Sequence, residues 1–372
     1  MKLLSLILTI CIATSLSAQI NASDWVVKGN TAYNEKKYTA AIPYYEKAIA
    51  LDAENKDVLY KLGWCYNDAN KFEAAIKTLN NLVKIDVNNH LAYQELGYAY
   101  KKTLQYAEAQ KALEKAVAIK PNYALAYKQL GDVYEQLKQP ETAITNYKKC
   151  VEYNPKNDIA LYKIGYLYNG TQKYEDAIYW LNKSNDVKKD YTTYNELGFA
   201  FYKLKRNDDA INAYNQAINL KYDNGTSYKG IGDVYRRNFS PAKVDEALEN
   251  YKKAIEYNPN SSGSYYGLGW CYNEKNNYSE AVYYLKKALA LDNTLVAAYT
   301  ELGYAEYMTS KNDDALKTLK TGISYDNKST LCRYYAGLVY IAMKDKTNAQ
   351  KMYNELLPLD AALAEKLKKK IQ

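Results

Sequence analysis

Apolar, small and polar positions recur along this chain with a period of 34 residues. Counted from Ala22, the eighth place of each stretch is a glycine: Gly29, Gly63, Gly97, Gly131, Gly165, Gly198, Gly232, Gly269, Gly303 and Gly337. The step departs from 34 twice, in a stretch of 33 that ends at Asp190 and in one of 37 with an insert around Phe239 to Val244. Twelve residues after each glycine, or fifteen in the longer stretch, stands an alanine, from Ala41, Ala75, Ala109, Ala143 and Ala177 to Ala210, Ala247, Ala281, Ala315 and Ala349. Around the glycine, Leu62, Gly63 and Tyr66 recur as Leu96, Gly97 and Tyr100 and as Leu130, Gly131 and Tyr134, the i, i+1, i+4 stripe of a helical face. Around the alanine, Ala75, Ile76 and Leu79 recur as Ala143, Ile144 and Tyr147, which marks a second helix. Pro121, Pro155 and Pro259 follow it, where a residue without a backbone N–H stops a helix. The pattern therefore predicts ten helical pairs. A small residue in each helix predicts close approach of the two backbones, with bulky neighbours in the grooves beside them. Leu359, Leu363, Leu367 and Ile371 predict a final helix over the open apolar end, with Lys366, Lys368, Lys369 and Lys370 toward water.

The unit Tyr93, Leu96, Gly97, Tyr100, Tyr106, Ala109, Ala116, Pro121 resembles the tetratricopeptide repeat, a helix-turn-helix of 34 residues. The resemblance implies an all-α fold, a right-handed α-solenoid. Its array would run over 19–363 in ten units: 22–55, 56–89, 90–123, 124–157, 158–190, 191–224, 225–261, 262–295, 296–329 and 330–363. Residues 364–372 complete the capping helix. The ends depart from the pattern as caps do: Lys28 precedes Gly29, and Arg333 and Ala336 stand where Tyr299 and Leu302 stood one unit earlier.

Composition narrows the chemistry. At 48% hydrophobic residues the chain folds, and 43 of its aromatics are Tyr against 4 Trp and 4 Phe. A single histidine, His90, leaves little for acid–base catalysis, and it reads as a surface residue at a helix start. The formal charge of +8 is spread along the chain, too mild for a nucleic-acid binder. Lys2, the apolar run from Leu3 to Ile12 and small residues through Ala18 read as an export signal over 1–18, which places the protein in a bacterial periplasm or envelope, or outside the cell. Cys11 raises lipid attachment, but Ile10 before it is larger than such sites usually have. No later stretch is apolar enough for a membrane span. Cys65, Cys150, Cys271 and Cys332 fall in different, non-adjacent units, too far apart for disulfides. Cys65 and Cys271 share a place otherwise held by Ala or Val and read as buried. No metal site, cofactor or phosphate-binding loop is expected, and Asp208–Asp209 and Asp313–Asp314 read as helix-start carboxylates. The protein is not expected to be an enzyme.

Function must then lie on a surface. In the repeat family the concave face is lined by first helices, and the place after each glycine is expected to face it. The candidates are Trp64, Tyr98, Asp132, Tyr166, Phe199, Asp233, Trp270 and Tyr304, with Tyr60, Tyr162 and Tyr266 one turn earlier. Asn67, Lys101, Glu135, Asn169, Tyr202, Arg236 and Asn273 lie one turn later, as polar groups able to orient a ligand. Flat rings and amides fit a protein or extended peptide partner, or alternatively a glycan chain; the competing reading is that several rings pack between first helices. The family's carboxylate clamp is absent, since Asn30 matches one place but Val26, Lys61, Leu91 and Glu95 fill the others. A local basic cluster remains, Lys229, Asp233, Arg236 and Arg237, expected to be solvated and able to fork onto a carboxylate or phosphate.

Overall fold

The computed structural model describes residues 21–372, so the export signal and Cys11 lie outside the described residues. Among the described residues are twenty-one α-helices and no strand. Nine successive pairs pack helix on helix, among them α1 Ala22–Asn34 with α2 Tyr38–Leu51, α3 Lys56–Asp68 with α4 Phe72–Ile85, α5 His90–Lys102 with α6 Tyr106–Ile119, and α7 Ala124–Gln136 with α8 Pro140–Tyr153. Next come α9 Asp158–Gly170, α10 Tyr174–Val187, α11 Tyr191–Lys203, α12 Asn207–Leu220, α13 Gly225–Arg237 and α14 Val244–Tyr257. Last are α15 Ser262–Glu274, α16 Tyr278–Leu291, α17 Val296–Met308, α18 Asn312–Tyr325, α19 Thr330–Ala342, α20 Lys346–Leu356 and the cap α21 Ala361–Ile371. The chain divides into two compact units, one through Leu167 and one from Tyr168. Within each, a pair packs on the next pair in sequence, which is the all-α stack that the 34-residue period predicts.

The two helices of a pair start by different means. Several first helices have a side-chain cap: Asn55 accepts from the Val58 N–H, Asn89 from Ala92 and Ser261 from Ser264. Most second helices have none, because the turn before them is itself closed. In the first pair the Lys36 N–H bonds the Tyr33 carbonyl and the Lys37 N–H bonds that of Ala32, and Lys36 sits at φ 60°. Asn70, Leu104, Lys138, Gln172, Lys205, Asn276, Ser310 and Lys344 occupy the same left-handed place. None is a glycine, so each turn accepts a cost of about 1 kcal/mol for its two carbonyl bonds.

The ten period alanines are fully buried. The room left by each glycine, however, is filled otherwise than expected. A methyl built on Gly63 would lie 2.5 Å from Leu79, on Gly97 2.4 Å from Leu113, and on Gly131 2.6 Å from the Tyr147 ring. The glycine thus receives a large side chain from the middle of the second helix, sixteen residues on, rather than the facing alanine's backbone. At Gly337 the occupant is Leu367 of α21, so the cap enters the slot its own pair leaves open. Leu359, expected on that helix, precedes it and is exposed. The four described cysteines are free and buried. His90, expected at the surface, is half-buried with its ring edge-on to Tyr123 at 5.2 Å, and burial lowers its pKa.

Candidate functional site

The residue after the glycine projects from each first helix, and most of these rings are also packing partners. Trp64 meets Tyr38, the first residue of α2, edge-on at 4.4 Å, and Tyr33 at 5.5 Å. Tyr98 meets Phe72 at 6.2 Å, Phe199 meets Tyr174 at 6.2 Å and Tyr304 meets Tyr278 at 6.0 Å. The first residue of the preceding second helix therefore supports each of these four rings. Tyr166 and Phe199 are the most exposed of the set at 43% and 36%. Tyr162 stacks on Tyr166 at 6.1 Å, while Tyr60 is half-buried and its hydroxyl pKa is raised by burial, then by Glu95.

Two of the candidate acids are internal. Asp132 accepts from Lys101 at 2.7 Å, Lys128 at 3.0 Å and the Tyr147 hydroxyl at 2.8 Å. Burial would raise its pKa, but the two ammonium groups outweigh burial and hold it below the usual range. Asp233 repeats the arrangement with Lys229 at 2.6 Å, the Tyr251 hydroxyl at 2.8 Å and Arg236 at 3.2 Å. Arg236 corrects the sequence reading, for it is buried rather than solvated. Its side chain is 8% exposed, its Nε donates to the Tyr251 hydroxyl at 2.9 Å, and its guanidinium lies 5.0 Å from the Tyr266 ring and 5.7 Å from Trp270. Arg237 is the exposed member of that pair.

Asn67, Asn169 and Asn273 are buried. Each Nδ2 donates twice to one glutamate of the next first helix. Asn67 reaches the Glu95 carbonyl at 3.1 Å and its carboxylate at 2.7 Å, Asn169 reaches Glu196 at 3.0 and 2.8 Å, and Asn273 reaches Glu301 at 3.1 and 2.8 Å. Each amide's Oδ1 is buried without a hydrogen-bond partner among the described residues. The glutamates were missed as site residues because they belong to a longer recurrence, in which every third pair is alike. Tyr93, Glu95, Leu96, Gly97 and Ala99 return as Tyr194, Glu196, Leu197, Gly198 and Ala200, then as Tyr299, Glu301, Leu302, Gly303 and Ala305. Tyr127, Lys128, Gly131, Asp132, Val133 and Tyr134 return as Tyr228, Lys229, Gly232, Asp233, Val234 and Tyr235. Comparing units three apart would have found both.

Burial raises the pKa of all three glutamates, with the asparagine bond opposing it. Because the folded chain favours the protonated form, these groups contribute stability below their unfolded pKa and lose it as pH rises through the raised folded value. Changing Glu95, Glu196 and Glu301 to Gln should therefore raise Tm relative to wild type, and the gap should widen as pH rises from the ordinary carboxylate range to neutrality. Thermal melts at stepped pH check this; a gap of constant size would contradict it.

Two pockets open on the first-helix side of the unit that ends at Leu167. The smaller, about 240 Å³, is lined by Trp64, Asn67 and Asp68 of α3, Gln94, Glu95 and Tyr98 of α5, and Leu125 and Gln129 of α7. The larger, about 480 Å³, takes Lys101 and Lys102 of α5, Lys128 and Asp132 of α7, Ile159 and Lys163 of α9, and Tyr106 from the start of α6 among its walls. Among the described residues, no cluster of His, Cys, Asp and Glu is placed to hold a metal ion, and no helix is long and apolar enough to cross a membrane.

Tetratricopeptide-repeat family models match residues 32–97, 91–123, 124–157, 191–224 and 332–357. A model described as regulator of microtubule dynamics protein 1-3 matches residues 229–295. No curated protein matches the chain. Among solved structures, the C-terminal part of a TPR repeat-containing protein from Cytophaga hutchinsonii is similar over 65% of this chain and 99% of its own, at 20% identity and a TM-score of 0.55, a likeness of fold. MamA is 30% identical over 43% of this chain and 94% of its own, with a TM-score of 0.42. YrrB, described as a TPR protein with an unusual peptide-binding site, is 22% identical over 51% of this chain and 96% of its own, with a TM-score of 0.41.

Proposed function

Since the chain belongs to the tetratricopeptide-repeat proteins, we propose that it is an exported, non-enzymatic scaffold that holds a polypeptide partner on its first-helix face. The observation that carries the reading is the smaller pocket, whose every lining residue comes from three consecutive first helices. Such a site is composite: no single pair contains it, and stacking creates it. Its mixture of rings, amides and carboxylates offers contact area together with directional bonds, as protein-recognition surfaces do. Export rests on the apolar run from Leu3 to Ile12 and the small residues through Ala18.

Affinity purification of the tagged full chain from its native cells, followed by mass spectrometry, tests both parts. The mature protein should begin at Gln19. A polypeptide retained by wild type should be lost, by about tenfold in yield, from a Tyr98→Ala variant that folds normally, as expected for an aromatic anchor. Retention independent of Tyr98, or a mature chain that still carries Leu3–Ile12, would contradict the corresponding part.

A further inference from the structure

Glu95 is 8% exposed and Asn67 only 4%, and no lysine or arginine among the described residues pairs with that carboxylate. An unpaired buried carboxylate is costly, and the asparagine bond alone offsets little of that cost at Glu95. Both groups that face each asparagine Nδ2 are oxygen acceptors, which fixes the amide's orientation and leaves Oδ1 as an acceptor in want of a donor. At this site Asn67 and Glu95 line one pocket with the exposed Asp68 and with Trp64 and Tyr98. Two carboxylates, an orphan amide oxygen and two rings meet the needs of one kind of group, a cation with several N–H donors. A pocket of about 240 Å³ is below the range of roughly 300–1,000 Å³ usual for whole small-molecule ligands and suits the end of a side chain.

We propose that the Asn67–Glu95 pocket receives a lysine or arginine side chain of the bound polypeptide. The other two asparagine–glutamate pairs differ from it: Gly170 follows Asn169 where Asp68 follows Asn67, and beside Glu301 this chain's own Arg236 supplies the cation, its guanidinium 5.7 Å from the Trp270 ring. The partner is then a polypeptide that presents a basic side chain to the one pocket. This inference rests on the scaffold reading and specifies its ligand.

Fluorescence anisotropy with the full chain tests it, using capped, dye-labelled nonapeptides that differ only in whether two positions are Lys, Arg, Gln or Glu, together with free spermidine as competitor. The Lys and Arg peptides should bind about tenfold more tightly than the Gln peptide, with the Glu peptide weakest. Glu95→Gln should remove that preference, so that the Lys and Arg peptides bind no more tightly than the Gln peptide. Asp68→Asn, at an exposed position, is the second variant and should give about a threefold loss for the basic peptides alone. Equal binding of all four peptides, or a preference that survives the substitutions, overturns the inference and leaves the scaffold reading standing. Spermidine that displaces the Lys peptide with the same affinity overturns the polypeptide as the source of the cation. Failure of every peptide to bind, with Tyr98→Ala retaining the native partner, overturns both readings.

Discussion

Replacing Arg236 by alanine is expected to destabilise the protein by about 3 kcal/mol, the scale of removing one partner from a buried ion pair. The change removes the Nε donor to Tyr251, the contact with Asp233 and the guanidinium between Tyr266 and Trp270, and leaves Asp233 with Lys229 and the Tyr251 hydroxyl. Burial alone would raise the Asp233 pKa, and Lys229 and Arg236 together hold it low, so the network's contribution is present above the ordinary carboxylate range and is lost as pH falls through the depressed folded value. Arg237→Ala, one residue on and exposed, should stay within about 0.5 kcal/mol of wild type. Urea unfolding of the two single variants separates them. A double-mutant cycle with Asp233→Asn should return a coupling of about 1 kcal/mol or more. Equal stabilities for Arg236→Ala and Arg237→Ala would show that the pair is solvated after all.

Gly131→Leu should cost about 3 kcal/mol, at the upper end for an overpacked site. Even the first carbon of the new side chain would fall 2.6 Å from the Tyr147 ring, and Tyr147 is fully buried with its hydroxyl held by Asp132. The ring has nowhere to retreat without breaking that bond. Gly131→Ala is the sharper form of the experiment, because helix propensity alone would favour it by about 1 kcal/mol whereas the clash predicts a loss. Hydrogen exchange should rise first in α7 and α8 and in the pairs beside them, since each pair leans only on its neighbours. A uniform rise across both units would contradict that picture.

What the sequence disclosed depended on whether a property is carried by spacing or by surroundings. The ten glycine–alanine places set the helical pairs because a 34-residue period leaves few other ways to bury two stripes, and the alanines are indeed fully buried. The cysteines could be read as free for the same reason, since distance along a stack follows from distance along the chain. Gly131 shows where spacing stops: it revealed that a small residue was needed, but not that Tyr147 rather than Ala143 would use the room. Arg236 was read by its type as a solvated groove residue, and only the position of Tyr251, Tyr266 and Trp270 around it decides otherwise. Asn67 and Glu95 lie in different helices of successive pairs, so their bond has no signature in one unit. Its trace is the likeness of every third unit, which a search at the shorter period averages away. The left-handed turns were invisible because Lys36, Leu104 and Lys138 occupy them instead of glycine.

The central claim is that the first-helix face holds the partner. It is tested most directly by placing a photo-crosslinking phenylalanine derivative at single sites of the full chain in its native cells. Tyr98 and Phe199 lie on first helices, while Tyr179 of α10 and Tyr283 of α16 are second-helix residues, 54% and 51% exposed. Crosslinks to one and the same polypeptide are expected from positions 98 and 199 and none from 179 or 283. Crosslinks from 179 or 283 with silence at 98 and 199 would contradict the claim.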